Sequence, residues 1–251
     1  MKEFVSFLKY QKSLGIDEVI LPKDWQQLMQ KRTISKPKRT ASKTFPTVSS
    51  KAVQSLVLPD DLSKLEKIVS GCVTCRLSQG RTQTVFGVGN PHAQLMFVGE
   101  APGRDEDLRG EPFVGRAGKL LTKIINAMGY ERKDIYIANI NKCRPPNNRV
   151  PLPDEVEACM PYLFKQIELI KPKVMVGLGS HAVKSLLKTD EPISKLRGRF
   201  FDFHISSHPE SSEGSTVKLM ATFHPAYLLR NPSMKKLVWE DMQKVMVLLN
   251  K

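Results

Sequence analysis

Four cysteines are the first residues whose spacing could do chemistry. Cys72 and Cys75 form a C-x2-C pair, while Cys143 and Cys159 lie far downstream, parted by "RPPNNRVPLPDEVEA". Four thiolates hold one tetrahedral zinc or one iron–sulfur cluster; four buried free thiols are the alternative. A redox C-x-x-C would open a helix after a strand, whereas this pair follows a predicted helix ending at Gly71. Zinc modules mostly use two close pairs, and a split second pair suits a cluster wedged between segments of a larger fold. Composition alone does not separate zinc from iron. The second concentration is "GEAPGRDEDLRGEPFVGRAGKLL", Gly99 to Leu121, which crowds glycines, acids and arginines around a lone Phe113. A core phenylalanine would be odd in so polar a loop, and an anchor tucked under a sheet is the other reading.

Such residues need elements to bring them together. "AQLMFVGE", "DIYIANI" and "KVMVGLG" are short apolar runs that predict buried strands. Helices are predicted between them: "DDLSKLEKIVSGC" opening on Asp60 or Asp61, "RAGKLLTKIINAM" ending at Gly129, "PDEVEACMPYLFKQIELIK" with proline and acids at its start, and "SHAVKSLLK". "RGRFFDFHI" and "TVKLMATFH" read as a strand or ribbon pair, and "SMKKLVWEDMQKVMVLLNK" as the final helix. Strands alternating with helices imply βαβ units. The expected fold class is α/β, a three-layer sandwich with a small, mainly parallel central sheet. Its site should lie at the carboxyl ends of the strands, where the Gly99 loop, the segment after Ile140 and the segment after Phe223 all emerge.

The 251 residues carry a formal net charge of +14, a bias that suits a polyanion such as a phosphate backbone. A basic tail over a solvated surface is the plainer account of that charge. No apolar run is long enough to cross a bilayer and no secretion signal is evident, so a cytoplasmic protein is expected. Three parts are expected: an appendage at 1–30, partly helical; a basic, Ser- and Thr-rich disordered linker at 31–57; and a catalytic domain at 58–251.

The segments "VGEAPGRDEDLRGEPFVGRAGKLL", "NINKCRPPNNRVP" and "TFHPAYLLR", with the order of the cysteines, closely resemble the family 4 (iron–sulfur) uracil-DNA glycosylases. The resemblance covers about residue 58 to the C-terminus and leaves the first part of the chain outside it. It implies the uracil-DNA glycosylase fold and a [4Fe-4S] cluster, structural in role, on Cys72, Cys75, Cys143 and Cys159. It implies base excision repair: uracil is flipped from single- or double-stranded DNA and its N-glycosidic bond hydrolysed to leave an abasic site. A non-catalytic iron–sulfur protein that recognises uracil or abasic DNA is the alternative. One related type traps uracil covalently through a histidine in an inserted basic loop; no histidine lies between Gly99 and Asn139, so turnover is expected. A monomer is expected, and residues 1–30 are a candidate docking element for a repair or replication protein.

Under that resemblance the chemistry distributes as follows. Phe113 supplies a stacking face. Asn139, at the end of "IYIAN", offers a donor and an acceptor to the uracil N3–H and O4 edge; Asn141 is the nearby alternative, and the family motif favours Asn139. His224 donates to O2 as the base leaves as an anion; His208 is the less favoured histidine. Gly99, Glu100 and Ala101 line the base edge mainly through backbone, with Gly103 allowing close approach. Better known uracil glycosylases carry an aspartate where this chain has Ala101, so Glu100, Asp105 and Glu106 are the candidates for orienting the attacking water, and Asp105 or Glu106 for excluding thymine by its methyl group. Gly115 and Gly118 would let the chain approach a DNA phosphate. Arg104, Arg109 and Arg116 are candidates for phosphate contact, and Tyr227, Leu228, Leu229 and Arg230 for contact with DNA, an apolar member filling the gap left by the flipped base. The leucines buried in a first helical turn are the alternative.

Overall fold

A strand covered on both faces has no solvent side and therefore no polar alternation. The computed structural model describes residues 58–204 and 216–250, and in it β2 (Leu95–Gly99), β3 (Tyr136–Asn139) and β4 (Val174–Leu178) are buried throughout. The appendage and linker expected at 1–57, and His208, lie outside the described residues. With β1 (Val88–Gly89), β5 (Phe200–His204) and β6 (Thr216–Thr222), these strands form one sheet in the order β1-β3-β2-β4-β6-β5. The inner strands β3, β2, β4 and β6 run parallel, and β1 and β5 close the edges antiparallel. The sheet is mainly parallel, as expected.

Alternation along β2 assigns the layers. Leu95 and Phe97 join Leu121 and Ile125 of α3 (Arg116–Ala127) and Val238 and Val245 of α8 (Lys235–Leu248) on one face. Met96 and Val98 join Leu163 and Ile167 of α4 (Pro153–Ile170) and Leu186 of α5 (Ser180–Leu187) on the other. Each such side chain contributes about 1.5–3 kcal/mol on full burial, which makes the sheet the rigid frame of the molecule.

Local chemistry sets the helix ends. Asp61 caps α1 (Leu62–Ser70), its carboxylate accepting the Lys64 N–H at 2.7 Å. Gly129, with φ 77, follows α3 in the left-handed conformation that glycine adopts without strain. Glu155 is buried at the start of α4, where it accepts the Leu152 N–H at 2.8 Å and both guanidinium nitrogens of Arg149 at 2.6 and 2.7 Å. Two short helices, α2 (Arg104–Arg109) and α6 (Ile193–Leu196), were not separately expected. "PAYLLR" forms its own helix, α7 (Pro225–Arg230), rather than the first turn of the C-terminal helix.

The topology places the carboxyl ends of all four parallel strands on one edge. In register, Gly99 lies beside Asn139, and Leu178 beside Thr222, two residues before His224. Asp241 of α8 secures that edge: fully buried, it accepts the Thr222 hydroxyl at 2.6 Å and binds the Arg197 guanidinium. No helix among the described residues is long and apolar enough to cross a membrane.

Candidate active site

The site forms around the missing side chain of Gly99. A Cβ there would strike Asn139 Oδ1 and lie 2.6 Å from Cζ of the Phe113 ring, so glycine is required for the two to meet at the end of β2. Both are buried. The backbone carbonyls of Gly99 and Glu100 accept the N–H groups of Ile140 and Asn141, which continues the ladder past the strand ends. Asn139 Oδ1 has no hydrogen-bond partner among the described residues. A buried acceptor left unsatisfied is costly unless a ligand fills it. Asn141, the alternative, also has an unpartnered Oδ1, but its Nδ2 donates to the Glu155 carbonyl at 2.8 Å and so serves the start of α4.

The Phe113 and His224 rings lie 5.6 Å apart between centroids, tilted by 34°. His224 Nδ1 accepts the Ala226 N–H at 3.1 Å, so in the neutral ring the proton sits on Nε2. Burial, with Arg230 adding its positive charge, pulls the imidazole pKa down to about 4. At neutral pH His224 is an uncharged donor. Glu100 responds oppositely: burial pushes its carboxyl up to about 7. A carboxyl poised there exchanges protons readily at neutral pH.

The other acids divide. Glu106 Oε1 accepts the N–H groups of Val114 and Gly115 at 2.9 and 3.0 Å, and Oε2 accepts that of Gly103 at 3.1 Å. In this structure its carboxylate holds the loop together. Asp105 is exposed, its Oδ2 lying 2.7 Å from where a Gly115 Cβ would sit. Asp107, not singled out in the sequence, is buried and accepts the Thr82 N–H and hydroxyl at 2.9 and 2.8 Å. Ala101 is half-buried, and Arg104, Arg109 and Arg116 are exposed. Gly118 is buried, and a Cβ there would strike the Phe113 carbonyl, so this glycine seats the loop on α3.

On α7 the burial pattern sorts the candidates. Leu228 is fully buried in the core, so it cannot enter DNA, correcting its assignment as a contact. Leu229 is 39% exposed, Arg230 is exposed, and Tyr227 is half-buried with its ring 5.0 Å from that of Phe223.

The four cysteines line one small cavity between α1, the Arg76–Gln79 turn, the segment that follows β3 and α4. Among the described residues, no group of three or more His, Cys, Asp and Glu side chains is placed to hold a metal ion. Donors surround the sulfurs and suit an anionic group held there. Cys143 Sγ accepts from Arg81 at 3.2 Å, Cys159 Sγ from the Lys142 N–H at 3.2 Å, and Cys72 Sγ from the Tyr162 hydroxyl at 3.4 Å. Lys142 is 1% exposed, and its ammonium bonds two neutral oxygens, Asn139 O at 2.7 Å and Gln166 Oε1 at 2.5 Å. Burial pulls the Lys142 ammonium down to about 8, with Cys159 and Cys143 acting the other way, so an anion held on the cysteines would answer this buried cation. Burial pushes the Cys159 thiol up to about 12, so its ionisation calls for a bound positive centre. Lys142 and Arg132, which bonds the Phe113 loop, were missed in the sequence. Lys142 adjoins a cysteine, but nothing in the local pattern around Arg132 points to the loop.

Flat heterocycles are gripped by a ring face and by edge contacts, and an uncharged imidazole donor suits a leaving group that departs as an anion. Fold and site together define an enzyme that handles an extruded nucleobase. The chain belongs to the uracil DNA glycosylase superfamily, whose model matches residues 86–243. It is 44% identical over 191 residues to the type-4 uracil-DNA glycosylase of Saccharolobus solfataricus, covering 74% of this chain and 85% of the relative. Against the type-4 enzyme of Archaeoglobus fulgidus it is 42% identical over 74% of this chain and 92% of the relative. Against that of Thermotoga maritima the identity is 43%, covering 73% and 92%.

Proposed function

We propose that the protein is a monofunctional uracil-DNA glycosylase of the type-4 kind, excising uracil from single- and double-stranded DNA to leave an abasic site. The supporting observation is the meeting of Phe113 and the unpartnered Asn139 amide at Gly99, with neutral His224 5.6 Å from the aromatic ring. In this reading the flipped base lies on Phe113. Asn139 Oδ1 accepts the N3–H and its Nδ2 donates to O4. As the C1′–N1 bond breaks, its electron pair goes to the base, and His224 Nε2–H steadies the charge on O2. Losing such a donor lowers rates by roughly 10²–10³ in other enzymes. Glu100 takes a proton from the water whose oxygen bonds to C1′. In the same reading Arg116, Leu229 and Arg230 meet the DNA around the extruded nucleotide, and Asp105 is assigned the exclusion of the thymine methyl.

The sulfur-lined cavity supports a [4Fe-4S] cluster on Cys72, Cys75, Cys143 and Cys159. When bound, the cluster cross-links distant segments and needs no part in bond breaking. Lys142 and Arg81 answer its charge, and Lys142 carries that anchorage to the backbone of Asn139. The reading extends to a cytoplasmic monomer. The basic composition of 31–57 supports loose DNA contact, and 1–30 is assigned a docking role toward a repair or replication protein.

Alkaline cleavage of oligonucleotides carrying uracil, hypoxanthine or mismatched thymine tests the proposal. Strand breaks at uracil are expected, lost in Asn139→Ala and His224→Ala. Tight binding to uracil or abasic DNA without base release would favour the non-catalytic alternative.

A further inference from the structure

Phe113 is held in the left-handed region, at φ 55, which a bulky residue adopts only when its surroundings impose it. The surroundings here are explicit. Arg132, in the segment between α3 and β3, donates through Nη2 to the Pro112 carbonyl at 2.8 Å and through Nη1 to the Phe113 carbonyl at 3.3 Å. The same Nη1 lies 3.5 Å from Thr122 Oγ1, whose hydroxyl donates to the Gly118 carbonyl at 3.1 Å. From the other side Glu106 takes the next two N–H groups, those of Val114 and Gly115. Gly118 lets the Phe113 carbonyl rest against α3.

We infer that Arg132 is a positioning residue for base recognition: its guanidinium fork holds the Pro112 and Phe113 carbonyls so that the ring faces the extruded base. The chemistry suits arginine. A planar fork bridges two successive carbonyls, whereas an ammonium is a point donor with no fixed plane. Arg132 is half-buried and bonds the backbone rather than a carboxylate, and the acid nearest in charge, Glu111, is exposed. The pair of clamps, cationic on the carbonyls and anionic on the amides, fixes the one aromatic side chain of the loop in a conformation it would not choose alone. This inference rests on the proposed stacking of uracil against Phe113.

The test is a mutant cycle on the full chain, reading single-turnover uracil release from a single-stranded oligonucleotide. Base–aromatic stacking sets the scale, and its loss corresponds to about 5- to 150-fold. Phe113→Ala should fall within that range, Arg132→Ala roughly tenfold, and the double variant no further than Phe113→Ala. Low-millimolar guanidinium should restore part of the Arg132→Ala rate and none of the Phe113→Ala rate. Arg132→Lys should fall between wild type and Arg132→Ala, and it supplies the same cycle if the alanine variant does not fold. Losses that multiply in the double variant, or an Arg132→Ala protein as fast as wild type while Phe113→Ala is slow, would overturn the inference. A Phe113→Ala protein as fast as wild type would remove the stacking role itself, and the clamp with it.

Discussion

Glu100 offers the sharpest pH signature. Burial places its carboxyl at about 7 instead of the usual 4.5, while His224 is neutral above about 4 and adds no titration between pH 6 and 8. If Glu100 takes the proton of the attacking water, the rate follows its ionised fraction, which rises from roughly one-tenth at pH 6 to nine-tenths at pH 8. Single-turnover uracil release at saturating enzyme should therefore climb about tenfold over that window. Glu100→Gln should abolish the limb and lower the plateau by about 10²–10⁴. Stability must move in the opposite sense. A raised folded-state pKa means that the folded protein binds the proton more tightly than the unfolded chain. The carboxyl is therefore tolerated below about pH 4.5 and costs stability as pH rises through about 7. The shift corresponds to about 3 kcal/mol against the ionised form at most. Glu100→Gln should thus gain stability over wild type at pH 8 and show little gain at pH 4.5, measured by urea unfolding. A flat wild-type profile, or a limb that survives in Glu100→Gln, would refute the assignment.

Leu228→Ala should destabilise the fold by about 2–5 kcal/mol in denaturant unfolding, whereas Leu229→Ala should stay within about 0.5 kcal/mol and slow release from duplex more than from single strands. Asp241→Ala, which strips Thr222 and Arg197 of a buried partner, should cost about 3 kcal/mol, the lower end for breaking a buried pair, since Arg197 keeps some solvent. Anaerobically purified protein should be coloured and carry about four irons per chain; Cys143→Ser should lose colour and thermal stability together, and stoichiometric zinc in a colourless protein would contradict the cluster.

Much of the frame was legible because its signals are local. Leu95 to Val98 is continuously apolar because both faces of β2 are covered, and Asp61 and Gly129 mark helix ends by side-chain capping and positive φ. Asn139 ends β3 and His224 follows β6 by two residues, at the same edge of the sheet, and the family resemblance singled out both. The loop resisted such reading. The left-handed backbone of Phe113 and the backbone role of Glu106 arise from hydrogen bonds that no periodicity records, and Arg132 bonds residues about twenty positions earlier. A six-residue helix shows too little period to reveal which of Leu228 and Leu229 faces inward. β1, two residues long, is defined only by its pairing with β3.

The most direct measurement is a crystal structure of the protein with free uracil. We expect the pyrimidine to lie over Phe113, its N3–H and O4 edge on the Asn139 amide and O2 within hydrogen-bond reach of His224 Nε2. Uracil bound away from these three residues, or held with its O4 edge turned from Asn139, would contradict the account.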